Sequence, residues 1–589
     1  MTARIAGNDY RSLTPPALGA WTPSLRVSVV IPAYGDQEKL DLALAGLSVQ
    51  TYPAALTEVI VVDNGSSPPL RLPELRPEGT SLIGCPIPGR AHARNAGLSA
   101  ATGDVIHWLD SDVVLDRRSV EAHMRWHHAA PYLAVTGYLR FTPARLPAPE
   151  MVAAADDLAK LFEPAEPHAW LVDLVERTDG LTANPHRAFS LHVGGATSVN
   201  AALLAAAGPM DTDLILGQDT EMGYRLAQAG AVFVPEPLSR AFHLGPTMRM
   251  RGKAPIDRVS HAFVADRIPS YRWLRSHPSR QWKVPYLEVV VEPEGRTGRE
   301  GPGYSYDEVR ATVDAVLAGT LPDVAVTLTG PWDRIGTEGR APLKDPDLDL
   351  VLIRGHYAHE ARVRFVDEAS VTSAVTSAVT SAPSEASRQP RAGGTAAPYR
   401  LRLPAGWVPG DDTLARLVDL AGNDGYGLVS VLLAEGGQDG DGGAAGGPGA
   451  GSERMIVAAR LERAAAFGRA AFVLEEGEDL DDAVEDTFGV VWVDGETYGF
   501  ASEARPIVGR RGAHRARIEA EAQVARLTRE NERLRGQVTK WRDEAGRWRK
   551  SAVELRREVG TLRKELAAAR KVVQYGLLSS VKRAITRRR

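Results

Sequence analysis

Three short apolar runs near the start of the chain each end in a polar cluster, with helix-patterned segments between them. Val27-Ser-Val-Val-Ile-Pro32 leads into Ala33-Tyr-Gly-Asp36, and Val59-Ile-Val-Val62 leads into Asp63-Asn-Gly-Ser66. Val105-Ile-His-Trp-Leu109 leads into Asp110-Ser-Asp112. Apolar runs of this kind, rich in β-branched residues, suit strands buried on both faces, as in parallel sheets. Asp36–Gln50 carries Leu40, Leu44 and Leu47 at helical spacing, and Ala91–Ala101 is a second helical segment. Strand, helix, strand, helix, strand predicts an α/β domain with a Rossmann-like, doubly wound sheet. Ligands of such sheets sit beyond the carboxyl ends of the strands, where all three clusters fall.

Each cluster has two readings. Asp110-Ser-Asp112 sets two carboxylates side by side after a buried strand, where they repel unless something neutralises them. A divalent cation bridging to a diphosphate would do so, since hard cations take oxygen ligands and phosphates supply the rest. The plain alternative is a loop start or helix cap. Asp63 is either ordinary turn chemistry or an acceptor for a nucleobase or ribose. Arg90 and Arg94, in Gly89-Arg-Ala-His-Ala-Arg-Asn-Ala-Gly97, are candidates to pair with phosphate or to hold the base. Their alternative is a solvated helix face.

Five motifs in order then carry a resemblance: Val27–Tyr34, Val59–Ser66, Ala93-Arg-Asn-Ala-Gly97, Trp108-Leu-Asp-Ser-Asp112 and Gly217-Gln-Asp-Thr-Glu-Met-Gly-Tyr-Arg-Leu226. Together they resemble the inverting family 2 glycosyltransferases of the GT-A fold, over about residues 26–245. The resemblance implies a nucleotide-sugar donor, expected to be a UDP-sugar, and a divalent cation, Mn or Mg. It implies that Asp112 binds metal, that Asp110 contacts metal or ribose, and that Pro32, Ala33, Tyr34 and Asp63 line the nucleoside site. Asp219 falls on the family's general base, which takes the acceptor's proton. Gln218 departs from the family, which has Glu before that aspartate. Glu221 is expected on the acceptor side, or as a helix-start acid favoured by the dipole. His243 stands where several members have a third metal ligand, and imidazole suits Mn better than Mg. His192-Val-Gly-Gly-Ala-Thr-Ser-Val-Asn200 resembles the acceptor-side segment, with Gly194 and Gly195 allowing close backbone approach.

Beyond about residue 278 the pattern weakens. Strand-like Tyr286–Glu292, helical Tyr306–Leu321 and strand-like Val324–Thr329 repeat the opening order. Val316-Leu-Ala-Gly-Thr-Leu-Pro-Asp-Val324 echoes Leu44-Ala-Gly-Leu-Ser-Val-Gln-Thr-Tyr-Pro53. This predicts a degenerate, non-catalytic GT-A-like unit over 279–509, the alternative being an unrelated α/β domain. Asp345-Pro-Asp347 precedes a predicted strand instead of ending one. Ala458–Ala471 reads as a helix and Val490–Val493 as a late strand. Low-complexity stretches near 371–398 and 436–452 bury no core and read as disordered insertions.

From Val524 a 4–3 spacing continues for seven heptads. Val524, Asn531, Val538, Ala545, Ala552, Val559 and Leu566 take one core position. Leu527, Leu534, Trp541, Trp548, Leu555, Leu562 and Ala569 take the other. That predicts a coiled coil over 510–573 and a homodimer through 517–573. A basic amphipathic tail, 574–589, is a candidate for peripheral contact with an anionic membrane.

The formal net charge of −4 conceals this division. Residues 510–589 hold 24 Lys/Arg against 9 Asp/Glu, a net of +15, and the remainder carries −19. A nucleic-acid binder is not expected of the acidic part. Cys85 is the single cysteine, so no disulfide forms within the chain and a reducing, cytoplasmic setting fits. Residues 1–25 form an N-terminal extension without the pattern of a secretory signal. The expected function is transfer of a sugar to a hydroxyl of a glycan or cell-envelope precursor. The alternative is a non-catalytic, dimeric sugar-nucleotide-binding scaffold.

Overall fold

A computed structural model describes residues 2–143, 146–183, 185–275, 280–292, 305–335, 343, 345–367, 397–436, 455–502, 534, 540, 551 and 554–569. Two compact units divide the chain, Met1–Ala504 and Arg505–Arg589.

Within the first unit, β1 (Val27–Ala33), β2 (Thr57–Asp63), β3 (Thr80–Gly84) and β4 (Val105–Leu109) run parallel in the order β3-β2-β1-β4. Val29, Val30 and Ile31 have no exposure, as expected of a strand covered on both faces. Each contributes roughly 1.5–3 kcal/mol by burial. The helix Gln37–Ser48 starts at Asp36, whose carboxylate accepts from the Lys39 N–H. Its Leu40, Leu44 and Leu47 enter one core cluster with β1 and β2, while the helix Arg90–Ala100 covers the other face with Ala91 and Ala93.

The sheet then changes direction. β5 (Val113–Leu115), β6 (Leu133–Thr142), β7 (Glu166–Pro167), β8 (Ala196–Asn200) and β9 (Val232–Leu244) complete it as β3-β2-β1-β4-β8-β6-β9-β5, with β7 beside β6. β8 is antiparallel to β4 and β6, and β9 is parallel to β6 but antiparallel to β5. A register shift at Gly137/Tyr138 bends β9 so that its second half reaches β5. The architecture is α/β of the GT-A type.

A second sheet lies within the same unit. β10 (Leu287–Glu292), β11 (Val324–Gly330), β12 (Val363–Asp367) and β13 (Tyr399–Pro404) are parallel in the order β12-β11-β10-β13. β14 (Trp407–Pro409), β15 (Leu428–Gly436), β16 (Met455–Arg463), β17 (Val490–Asp494) and β18 (Phe500–Ser502) follow. β16 is antiparallel to β13 and β15, β17 is parallel to β15, and β14 pairs antiparallel with β18. Strand for strand, this is the order and direction of the first sheet. β14 follows β13 as β5 follows β4, and β17 with β18 takes the place of the bent β9.

Two local expectations fail here. Ala458–Ala471 divides into strand β16 and the helix Ala464–Val473. Its alanines favour helix, but pairing on both edges of residues 455–463 overrides that preference. Asp345-Pro-Asp347 precedes the helix Leu348–Tyr357, not a strand. In the second unit, 554–569 is helical and Leu555, Val559, Leu562 and Leu566 are exposed. The remaining heptad positions apart from Leu534 and Ala569, the basic tail 574–589 and nearly all of both low-complexity insertions lie outside the described residues. No helix among the described residues is long and apolar enough to cross a membrane.

Candidate active site

Strand ends and one helix start build the site. β1 and β2 pair in register at Ala33 and Asp63, which puts both at one edge of the cleft. Tyr34 follows with 68% of its surface exposed, while Pro32 is half-buried. Asp63 accepts from the backbone N–H groups of Ser66 (2.8 Å) and Leu70 (3.0 Å). Burial would raise its carboxyl, but these bonds and the Ser66 hydroxyl hold it below the usual range. The turn chemistry expected of this cluster is therefore present. Gly35 N–H donates to Ser66 Oγ, and Gly89 N–H to Asn64 Oδ1, which tie the loops together.

The third cluster is completed from far along the chain. β5 begins at Val113, which pairs with His243 on β9, and Leu244 N–H donates to the Asp112 carbonyl at 2.8 Å. This register brings His243 Nε2 to 3.5 Å from Asp112 Oδ1. The imidazole's other nitrogen, Nδ1, is 2.9 Å from the Gly245 carbonyl. A carbonyl only accepts, so Nδ1 carries a proton, and Nε2, beside Asp112, is the nitrogen left to bind a metal. Asp112's carboxyl is pushed above its usual value by burial, opposed by His243 and reinforced by the charge of Asp110.

Arg94 lies beneath. Its guanidinium is buried and donates to Asp219 Oδ1 (2.6 Å) and Asp110 Oδ1 (3.0 Å). Burial disfavours its charge, yet Asp219 and Asp110 outweigh that and raise its pKa. Arg94 is therefore not on a solvated helix face: each terminal nitrogen bonds a carboxylate. Arg90 is exposed, with Nη2 3.3 Å from Met248 Sδ. Asp219 opens the helix Gln218–Gln228, entered through Gly217 at φ 92°. Burial would raise its carboxyl, but Arg94, His192, Arg90 and the Gly194 N–H hold it below the usual range. Asp110 and Asp219 each keep 39% of their side-chain surface open, room enough for a substrate to reach them.

Gly194 and Gly195 are explained by close approach. A Cβ on Gly194 would lie 2.2 Å from Arg94 Nη2 and 2.4 Å from Asp219 Oδ1, and one on Gly195 would lie 2.7 Å from Asp110 Oδ2. Gln218 and Glu221, expected on the acceptor side, are both turned into the protein. Gln218 is buried and donates to the carbonyls of Leu214 (2.7 Å) and Ile215 (2.9 Å). Both oxygens of buried Glu221 are taken by Arg225, at 2.7 and 2.9 Å. Reasoning from sequence passed over His192, whose Nδ1–H donates to the Asp219 carbonyl at 2.9 Å. Its signal was the histidine two residues before a Gly-Gly pair.

Among the described residues no three His, Cys, Asp or Glu side chains converge to cage an ion alone. Asp112 and His243 nevertheless fit a divalent cation. One offers a carboxylate and the other its imidazole Nε2, and cis ligands of one ion lie roughly 3 Å apart at metal–ligand distances near 2.1 Å. Such a pair leaves positions for diphosphate oxygens.

Residues 28–171 match the family described as "Glycosyl transferase family 2". Residues 28–171 belong to glycosyltransferase family 2. The chain is 29% identical over 235 residues to "Pre-mycofactocin glycosyltransferase" of Mycobacterium tuberculosis, covering 38% of this chain and 43% of the relative. It thus spans less than half the length of that relative. It is 28% identical over 388 residues to "Validoxylamine A glucosyltransferase" of Streptomyces hygroscopicus subsp. limoneus, covering 61% of this chain and 82% of the relative. A crystal structure of GalNAc-T7 with UDP, GalNAc and Mn2+ is similar at a TM-score of 0.30 and 16% identity, covering 41% of this chain and 48% of that one.

The second sheet keeps this architecture without these side chains. Between β13 and β14, Ala405-Gly406 stand where Asp110-Ser111-Asp112 stand between β4 and β5. Trp407 pairs with Ser502, as Val113 pairs with His243.

Proposed function

We propose that the chain is a metal-dependent, inverting glycosyltransferase that moves a sugar from a nucleotide-sugar donor to a hydroxyl of a glycan or cell-envelope precursor. The observation that carries this reading is the convergence of Asp112, His243, Asp110 and Asp219 at one cleft, through the β5–β9 register and the buried Arg94. A divalent cation held by Asp112 and His243 would offset the charge that grows on the leaving diphosphate. Asp219 accepts the acceptor's hydroxyl proton as that oxygen bonds to the anomeric carbon. The bond from that carbon to the diphosphate oxygen breaks on the opposite face, which inverts the centre. Arg94 holds Asp219 ionised and aimed, so the base is ready before the acceptor arrives. Ala33, Tyr34 and Asp63 line the nucleoside side.

The second GT-A-like unit is non-catalytic in this reading, since Ala405, Gly406 and Ser502 offer no side-chain metal ligands equivalent to Asp112 and His243. The exposed row Leu555, Val559, Leu562 and Leu566 supports pairing of the C-terminal helix with a second copy. The test is turnover of a panel of UDP- and GDP-sugars with Mn, comparing the native chain with Asp219→Asn. Nucleotide release by the native chain and its loss in the variant are expected. Metal-dependent nucleotide binding without turnover for any donor and acceptor would favour a scaffold.

A further inference from the structure

The helix that carries Asp219 is held at its other end by the second GT-A-like unit. Arg469, on the helix Ala464–Val473, is 2% exposed, and no acidic side chain is among its hydrogen-bond partners. Its Nε donates to the Gly230 carbonyl (2.8 Å) and Nη2 to that of Ala231 (3.0 Å). Nη1 reaches the Ile5 carbonyl at 2.9 Å and that of Gly7. Burial pulls its pKa down to about 10. An arginine in this setting is costly unless its donors are satisfied, and here four backbone carbonyls do so. Gly230 and Ala231 directly follow the helix Gln218–Gln228. The cation therefore also sits at the negative end of that helix's dipole.

The contact is close-packed as well as polar. A Cβ on Gly468 would lie 2.6 Å from the Ala229 carbonyl carbon. The second GT-A-like sheet and its helices also have their own Gly477-Glu478-Asp479, with Gly477 at φ 85°, where the first sheet's helices have Gly217-Gln218-Asp219. Here the acids serve attachment and capping. Glu478 pairs with Arg4 at 2.6 Å, Asp486 pairs with the same Arg4, and Asp479 caps the helix Leu480–Phe488. Glu478 and Asp486 thereby fasten the N-terminal segment through Arg4.

We infer that Arg469 is a positioning residue for Asp219. By fixing the C-terminal end of an 11-residue helix, it sets where the N-terminal end holds the carboxylate against Arg94. A helix of that length is a rod of roughly 16 Å, so loosening one end tilts the other. This inference rests on Asp219 being the base, but its structural half is testable without turnover.

The experiment uses the full chain with Arg469→Lys, whose single ammonium cannot span four carbonyls, and Gly468→Ala, which keeps Arg469 and wedges the same contact. Amide exchange at residues 218–222 is compared with that of the helix Gln37–Ser48. Mn-dependent UDP binding and the kcat and KM of donor hydrolysis are measured alongside. Expected are at least tenfold faster exchange at 218–222 alone, at least tenfold lower kcat, and a UDP Kd within twofold of the native value. Unchanged exchange at 218–222 in both variants would overturn the inference. So would equal acceleration in both helices, or a Kd that weakens as much as kcat falls. If the native chain turns over no donor, the proposed reaction fails, and the exchange comparison still decides the clamp.

Discussion

Adding one methyl group at Gly194 is the sharpest test of how the carboxylate cluster is held. The new Cβ of Gly194→Ala would stand 2.2 Å from Arg94 Nη2 and 2.4 Å from Asp219 Oδ1, whereas ordinary contact begins near 3.4 Å. Arg94 cannot swing clear, because it is buried and tied to both Asp110 and Asp219. Relief requires giving up one charged hydrogen bond, at about 1.5–3 kcal/mol, and accepting overpacking of about 1–3 kcal/mol. Across a unit of ~500 residues, at about 2.1 cal/mol/K each, that lowers Tm by about 2–6 °C. Asp219 is displaced by about 1 Å, and misplacement of that size costs on the order of 100-fold in rate. Gly355→Ala is the control, since nothing lies within 4 Å of its Cβ and alanine favours its helix. The assay pairs thermal unfolding with donor hydrolysis. A Gly194→Ala chain melting within 1 °C of native and hydrolysing donor at the native rate would refute the packing argument.

Further outcomes follow from other parts of the molecule. Asp112→Asn and His243→Gln are each expected to weaken Mn-dependent UDP binding by 10-fold or more, read by calorimetry with and without Mn; metal-independent binding would remove their proposed role. Buried His107, His123 and His127 surround Ser198, and burial holds all three neutral, His107 down to about 4 and His127 to about 3. The unfolded chain takes up these protons near pH 6.5 while the folded chain refuses them, so stability is full above pH 6.5 and declines as pH falls toward 4. For His107 alone the loss is on the order of 3 kcal/mol by pH 4, and unfolding of His107→Leu should depend less on pH over that range. Gln218→Glu sets a carboxylate against the Leu214 and Ile215 carbonyls and should cost about 1–3 kcal/mol; a more stable variant would mean the loop rearranges. The chain truncated after residue 504 should sediment as a monomer while the full chain sediments as a dimer.

Much of the first sheet was legible because its strands are buried on both faces, and such strands announce themselves as β-branched runs. The second sheet was half legible. β10 and β11 follow the same rule, but β16 is alanine-rich and reads as helix until its two neighbours claim it. Gly477-Glu478-Asp479 was passed over for a related reason. A three-residue motif carries meaning only once its helix is known to occupy the place of Gln218–Gln228.

Sequence by itself determined which chemistry is available: Asp110 and Asp112 at a strand end, Asp219 at a helix start, and an imidazole at residue 243. Tertiary structure alone decided which of these meet. His243 reaches Asp112 only because β9 bends after Gly137/Tyr138 and pairs with β5. Arg94 turns inward because two carboxylates await it there, and Glu221 turns away because Arg225 claims both its oxygens. Pairings between residues this far apart in the chain depend on register and depth, and neither is written in local spacing. Arg469 is the furthest case, a cation from a helix beside the second sheet, placed at the end of the helix that carries Asp219.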